Sequence, residues 1–191
     1  MHIVVYDIEN AKPAKDNPNR ARGEVSWDEA RVGGAGISAV VVWDSLTRRP
    51  HLYDKHTVLA CIEHLNNADL CVGWNSLNFD KTALEGFTQH AITSDQLDVR
   101  QYIIDAVGDK YARGYRLGEV TARTLNLYKN GEGTGAPELA RQGRFAELFD
   151  YNLNDVWLTR ALHNHIAEHR YVVTPDGKKL TIRRYPTKEM A

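Results

Sequence analysis

The chain has 191 residues, of which 42% are hydrophobic and 9% aromatic, and this composition can build a sizeable core without disulfides. A formal net charge of -1 argues against a protein that coats nucleic acid over a broad basic surface, because Lys and Arg supply most non-specific affinity for phosphates. No basic leader and no apolar run of about 18 residues is present, so we expect a cytoplasmic protein that does not contact a membrane.

Hydrophobic periodicity and turn residues predict the elements in chain order. The first half should contain a strand at residues 2–8, a polar loop at 10–34, a hairpin of strands at 37–43 and 51–53, and a helix at 58–65. A buried strand at 70–74, a helix at 78–87, a strand passing into a helix at 97–102 and a helix at 117–127 should follow. The glycine-rich residues 129–138 lack the ending of a phosphate-binding loop and predict a flexible connection. A helix at 145–167 and a hairpin at 170–185 close the chain.

This order of strands and helices indicates one α/β domain over residues 1–191, with its core at 2–167. We expect a mixed sheet covered by helices, followed by the C-terminal hairpin. Cys61 and Cys71 form no CxxC pair and lie at no zinc-ligand spacing with histidines. They therefore predict buried thiols in a reducing compartment.

The predicted first strand ends in two carboxylates on one face. Period-two alternation places Asp7 and Glu9 on the same side as Ile3 and Val5, with the carboxylates about 7 Å apart along the strand. Their repulsion must be offset by solvent or by cations. A bridging metal gives the pair a mechanism, and a solvated strand end is the alternative.

The predicted last helix carries an aspartate on its apolar face. That face consists of Leu148, Tyr151, Asp155, Leu158 and Leu162, at spacings of three and four residues. A carboxylate on a packed face is costly unless it is paired or bound to metal, and Tyr151 lies one turn before Asp155. The alternative to a metal is an ion pair with an arginine such as Arg160 or Arg116.

A third acidic residue, Asp80, falls in the segment GWNSLNFDKTAL, between the end of a strand and the first turn of a helix. Helix capping and the helix dipole would explain Asp80 without any chemistry. This segment alone does not distinguish capping from catalysis.

Together these segments resemble the DEDD superfamily of 3′-to-5′ exonucleases: D-I-E at Asp7 to Glu9, N-x-x-x-F-D at Asn75 to Asp80, and Y-x-x-x-D at Tyr151 to Asp155. The tyrosine is typical of the branch with polymerase proofreading domains and RNase D; the histidine branch has histidine where this chain has Asp150. The resemblance implies an RNase H-like fold, with a mixed five-stranded sheet whose first three strands are antiparallel and which is flanked by helices.

The resemblance also implies roles. Asp7, Glu9 and Asp155 would hold one divalent cation, Mg²⁺ or Mn²⁺, and Asp7 and Asp80 would support a second. Tyr151 would orient the attacking water. Asn75 and Phe79 match positions that line the substrate end. All-oxygen ligands suit these hard cations, whereas cysteine or histidine ligands would favour zinc. We expect no metal site at His163, His165 and His169, because the first two point to different faces of the predicted helix.

The predicted activity is two-metal hydrolysis of phosphodiester bonds at a free 3′ end, releasing nucleoside 5′-monophosphates, with single-stranded DNA favoured over RNA. No polymerase, helicase or RNA-binding module accompanies the nuclease, so we expect either a stand-alone enzyme or one that works beside separate replication or repair proteins. The alternatives are an RNase H-like endonuclease or resolvase, and a non-catalytic nucleic-acid binding module on the same fold. Basic segments at residues 110–129 and 178–184 are either phosphate-guiding patches or solvated faces.

Overall fold

The computed structural model describes residues 1–15, 23–109, 113–130 and 135–186. Its strands are β1 (Ile3–Asn10), β2 (Ile37–Asp44), β3 (Arg49–Tyr53), β4 (Leu70–Gly73), β5 (Asp95–Asp98), β6 (Tyr171–Val173) and β7 (Lys179–Thr181). Its helices are α1 (Trp27–Arg31), α2 (Val58–Asn66), α3 (Asp80–Thr88), α4 (Val99–Val107), α5 (Leu117–Leu125), α6 (Ala136–Arg141) and α7 (Phe145–His169). The predicted elements occur in the predicted order, with boundaries shifted by a few residues, and helices α1 and α6 are additional.

Five strands form one mixed sheet in the order β3-β2-β1-β4-β5. The pairs β1–β2 and β2–β3 are antiparallel, whereas β4 runs parallel to β1 and β5 parallel to β4. The prediction of a mixed sheet whose first three strands are antiparallel is therefore confirmed. The C-terminal hairpin is confirmed as β6 paired with β7, with Gly177 in its turn at a φ of 82°.

The sheet buries an apolar layer on each face, as the alternation along β1 dictates. Val5 belongs to the layer shared with α4, α5 and α7, whereas Val4, Tyr6 and Ile8 belong to the layer shared with α2 and α3. Helix α7 thus covers the face of β1 that carries the odd-numbered residues. Asp7 and Glu9 continue that face beyond the apolar layer.

The prediction of an uninterrupted loop at residues 10–34 is wrong, because helix α1 lies within it. Ser26 caps this helix: its hydroxyl accepts from the Glu29 N–H at 3.1 Å, while the Glu29 carboxylate accepts from the Ser26 N–H at 2.7 Å. This reciprocal capping box stabilises a helix of only five residues. The flexible connection predicted at residues 129–138 is shorter than expected, because α6 begins at Ala136. Residues 131–134 of this connection lie outside the described residues.

Cys61 and Cys71 are both buried free thiols, as predicted. In the described part of the chain, no helix has the length and apolar character that a membrane crossing requires.

Candidate active site

The central strand β1 brings two carboxylates under helix α7. Asp7 and Glu9 lie near the end of β1, paired across the ladder with Val41 and Ala39 of β2. The Asn152 side chain, one turn of α7 before Asp155, donates from Nδ2 to the Asp7 Oδ2 at 2.7 Å. Sequence reasoning missed Asn152, although it lies on the same helix as Tyr151 and Asp155.

Asp155 lies on the buried face of α7, and 6% of its surface is exposed. Its Oδ2 pairs with the Lys129 Nζ at 2.6 Å, and the same ammonium donates to the Tyr151 hydroxyl at 3.1 Å. The alternative of an ion pair with Arg160 is not what the structure shows, because that guanidinium stacks on the Trp43 ring, 3.8 Å from its centroid. The partner of Asp155 is instead Lys129, which lies in the segment after α5.

Three of the predicted carboxylates converge. One oxygen each from Asp7, Glu9 and Asp155 lies within 4.8 Å of the others, on two elements far apart in sequence. The Asp155 Oδ1 is buried and has no hydrogen-bond partner among the described residues. An anionic oxygen left unpaired in a buried site is costly, and a divalent cation would satisfy it. The donor set therefore fits Mg²⁺ or Mn²⁺.

The fourth carboxylate, Asp80, lies beside this group. Its Oδ1 accepts from the Ile8 N–H at 3.1 Å, so the side chain reaches across to β1 between Asp7 and Glu9. It does not cap α3, as the capping alternative requires, because it is the first residue of that helix and Phe79 is the N-cap. The contact with β1 explains why Asp80 lies in the same cleft.

Asp98, which the sequence did not single out, shapes the wall of the cleft that contains Asn75. As the N-cap of α4 it accepts from the Arg100 N–H, and it also accepts from the N–H groups of Asn75 and Leu77, at 2.8 and 3.2 Å. Asn75 has a φ of 60°, a left-handed conformation that these bonds maintain. Asp98 therefore positions the loop that carries Asn75.

The clustered carboxylates resist ionisation without a cation. Burial raises the pKa of Asp7 well above its usual range, and the charges of Asp80, Asp155 and Glu9 raise it further. Burial, followed by the Asp155 charge, raises the pKa of Glu9 to about 8. Burial also raises the pKa of Asp80 to about 7, although the hydrogen bond from Ile8 opposes the shift. A bound cation would reverse this preference and favour the ionised forms.

We therefore expect the metal-free protein to lose stability as pH rises. The native state keeps protons that the unfolded chain releases, so the free energy of unfolding falls between pH 4.5 and about 8, the window set by Glu9. Asp7→Asn keeps the oxygen that accepts from Asn152 and removes a carboxyl group whose ionisation the folded state opposes. It should stabilise the metal-free protein near pH 8 by about 1 to 3 kcal/mol and have little effect near pH 5.

Urea denaturation in EDTA at several pH values measures this difference. Asp95→Asn is the matched control, because Asp95 is exposed on β5 and its replacement should leave the pH profile unchanged. A metal-free Asp7→Asn protein that is less stable than wild type near pH 8 would contradict the repulsion argument.

The carboxylates open into a cleft of about 990 Å³. Its walls combine the acidic group with aromatic and basic side chains. The aromatic and basic residues are Trp27, Trp74, Phe79, Tyr115, Arg31, Arg100, Arg113, Arg116 and Lys129. The Trp27 and Phe79 rings meet edge to face, with centroids 5.6 Å apart. Both predicted substrate-end residues, Asn75 and Phe79, lie in this wall.

The basic residues of the segment 110–129 fall into two groups, one that lines the cleft and one that contacts the backbone. Arg113, Arg116 and Lys129 line the cleft, whereas Arg123 donates to the carbonyl oxygens of Gly114 and Val173 and holds the hairpin. Lys110 lies outside the described residues. In the other segment, 178–184, Lys178 pairs with Asp176 at 2.7 Å, in the hairpin turn.

The described fold is similar to part of the solved structure of a family B DNA polymerase from the hyperthermophilic archaeon Pyrobaculum calidifontis, with a TM-score of 0.61 and 14% sequence identity. The similarity covers 86% of this chain and 24% of the polymerase chain, so this chain matches about a quarter of that protein's length. Similarity at this level of identity establishes the fold alone. No family model matches the sequence, and no curated protein matches it.

Proposed function

We propose that this protein is a metal-dependent 3′-to-5′ exonuclease of the tyrosine branch, which releases nucleoside 5′-monophosphates from a nucleic-acid 3′ end. The observation that carries the proposal is that oxygens of Asp7, Glu9 and Asp155 lie within 4.8 Å of one another. The buried Asp155 Oδ1, which has no hydrogen-bond partner among the described residues, adds to it. The fold it shares with part of a DNA polymerase supports nucleic acid, and DNA before RNA, as the substrate.

The chain offers ligands for two cations. Asp7, Glu9 and Asp155 would hold one, and Asp7 with Asp80 would hold the other. When bound, two such cations supply an acidified water as nucleophile and stabilise the charge on the departing 3′ oxygen. Because Asp7 would contribute to both sites, its side chain must remain fixed, and the bond from Asn152 fixes it.

The side chains around the carboxylates would position the reacting groups. Burial raises the pKa of Tyr151 to about 12, so its hydroxyl stays protonated and can orient a water beside Asp155. Lys129 adds a positive charge at this edge and reaches both residues. On the opposite wall, Phe79 and Trp27 offer aromatic surfaces on which a terminal base can stack.

The directional test uses end-labelled single strands with Mg²⁺ or Mn²⁺, with products resolved by length. We expect shortening one nucleotide at a time from a free 3′ end, because the proposed site holds a strand terminus. EDTA should abolish the reaction, since it removes the cations that would supply the nucleophile and stabilise the departing 3′ oxygen.

A strand blocked at its 3′ end and a circular single strand are the controls. Both should survive while the free strand is degraded. Cleavage of the circle at a comparable rate would indicate an endonuclease on the same fold. Binding without any cleavage under all metal conditions would indicate a non-catalytic binding module.

A further inference from the structure

A second cluster of possible metal ligands lies at the other end of β1, away from the proposed nuclease site. Asp44 ends β2 and is paired in register with Val4, whereas Asp7 is paired with Val41. Around Asp44 gather His2, which precedes β1, and His64, near the end of α2. The nuclease carboxylates belong to the opposite end of this strand, so the two groups are separate.

The atoms of this cluster converge on one carboxylate. His2 Nε2 lies 3.1 Å from Asp44 Oδ1, and His64 Nε2 lies 3.1 Å from Asp44 Oδ2. One ligand atom from each of these three residues lies within 4.8 Å of the other two. A third imidazole, His51, has its Nε2 3.9 Å from Asp44 Oδ2. Asp44 is 4% exposed, so the group is shielded from bulk water.

The outer nitrogens of the two imidazoles are held by protein groups. His2 Nδ1 lies 3.0 Å from the Asn67 carbonyl oxygen, which can only accept, so Nδ1 carries the proton. His64 Nδ1 lies 2.7 Å from the Tyr53 hydroxyl. An imidazole anchored through Nδ1 to a carbonyl or hydroxyl, with Nε2 turned inward, has the arrangement that metal-binding histidines take.

The hydrogen bond from His2 Nδ1 to Asn67 leaves the lone pair on His2 Nε2 without a hydrogen-bond donor. In neutral His2 the Nε2 lone pair faces Asp44 Oδ1, and a carboxylate oxygen supplies no proton. Oδ1 already accepts from the Leu46 N–H at 2.6 Å, so the β2–β3 turn holds the carboxylate in place. A cation between these atoms satisfies both, and that cation is either a proton on His2 or a metal ion.

We propose that His2, Asp44 and His64 form a binding site for a transition-metal cation of the Zn²⁺ class, with His51 or water as a fourth ligand. Two imidazoles and one carboxylate are the donor set that Zn²⁺ accepts, in contrast to the all-carboxylate group that suits Mg²⁺ or Mn²⁺. Tetrahedral coordination at about 2.0 Å places ligand atoms roughly 3.3 Å apart, so small side-chain shifts would close the site.

The site has a structural role in this proposal. It would join three segments through one metal ion: the residues before β1, the β2–β3 turn and the C-terminal part of α2. Metal bound only by the folded protein raises the apparent stability in proportion to the logarithm of its concentration. The proposal is independent of nuclease activity, and its readouts are spectroscopic and thermal.

The test uses the full chain without an affinity tag, stripped of metal and titrated with Co²⁺ as a coloured probe for Zn²⁺. We expect the visible d–d bands of a tetrahedral site at one equivalent, displaced by Zn²⁺, and a melting temperature that rises with Zn²⁺. His64→Gln and His2→Gln should each lose the bands and the thermal shift. Asp155→Asn should keep both, because it alters only the proposed nuclease site.

His56→Gln is the matched histidine control, since His56 is exposed in the turn before α2 and should keep wild-type metal uptake. If circular dichroism shows that His64→Gln does not fold, the His2→Gln variant alone tests the site. Its substitution lies outside every helix and strand, before β1. A wild-type chain that binds no Zn²⁺ at micromolar concentration would overturn the proposal. So would variants that bind as much Co²⁺ as wild type.

Discussion

Asp155→Asn is expected to lower the single-turnover rate of 3′-end hydrolysis by at least about a thousandfold, equivalent to roughly 4 kcal/mol of barrier. The substitution keeps the shape of the side chain and removes the charge of an oxygen that lies within 4.8 Å of Asp7 and Glu9. It also leaves Lys129 without its carboxylate partner in a partly buried position. Added Mn²⁺ should restore the rate only in part, because the ligand is both weakened and less charged.

The matched control is Asp150→Asn, which makes the same chemical change at an exposed position of α7. Its rate should remain at the wild-type value across all metal concentrations. A second comparison separates the two proposed metal sites: by calorimetry with Mn²⁺, Asp7→Ala should lose both, and Asp80→Ala should mainly weaken one. Wild-type stoichiometry and activity in these variants would exclude the assigned ligands.

Tyr151→Phe is expected to lower kcat by roughly ten- to a thousandfold, while metal binding and substrate affinity change little. The substitution removes only the hydroxyl, which accepts from Lys129 at 3.1 Å. The expected loss is therefore one of water orientation.

Tyr128→Phe provides the control for this change. Tyr128 is 65% exposed, and among the described residues its hydroxyl bonds only to Asn126, so its removal should leave the rate unchanged. Single-turnover rates over a range of Mn²⁺ concentrations make the comparison. If Tyr151→Phe cleaves at the wild-type rate, or if its defect disappears at high metal, Tyr151 is a core aromatic and takes no part in the reaction.

Local patterns predicted the elements that build the candidate site. The alternation along β1 placed Asp7 and Glu9 on one face, and the apolar stripe of α7 placed Asp155 on another, because both periods are set by backbone geometry. The structure brings these faces together, with α7 over β1. Helix α1 was missed because five residues give no measurable period, although Ser26 and Glu29 carry its capping signal.

The contacts that the sequence did not reveal are those between distant segments. Lys129 occurs in a basic stretch with no local mark of its bond to Asp155, and Asp98 reads as an ordinary helix cap. The cluster of His2, Asp44 and His64 exists only because the register of β1 on β2 places Val4 opposite Asp44. Such pairings depend on tertiary packing, which single-sequence patterns do not encode.

The hydrogen bond between Asn152 and Asp7 joins residues 145 positions apart, so it cannot form until both segments have been synthesised. During synthesis β1 leaves the ribosome before α7. Contacts of such long range are slow to form, because much of the chain must already be ordered when they close. A nascent chain that lacks α7 therefore displays Asp7 and Glu9 without Asn152 and Asp155, and the proposed nuclease site is complete only after that helix has been made.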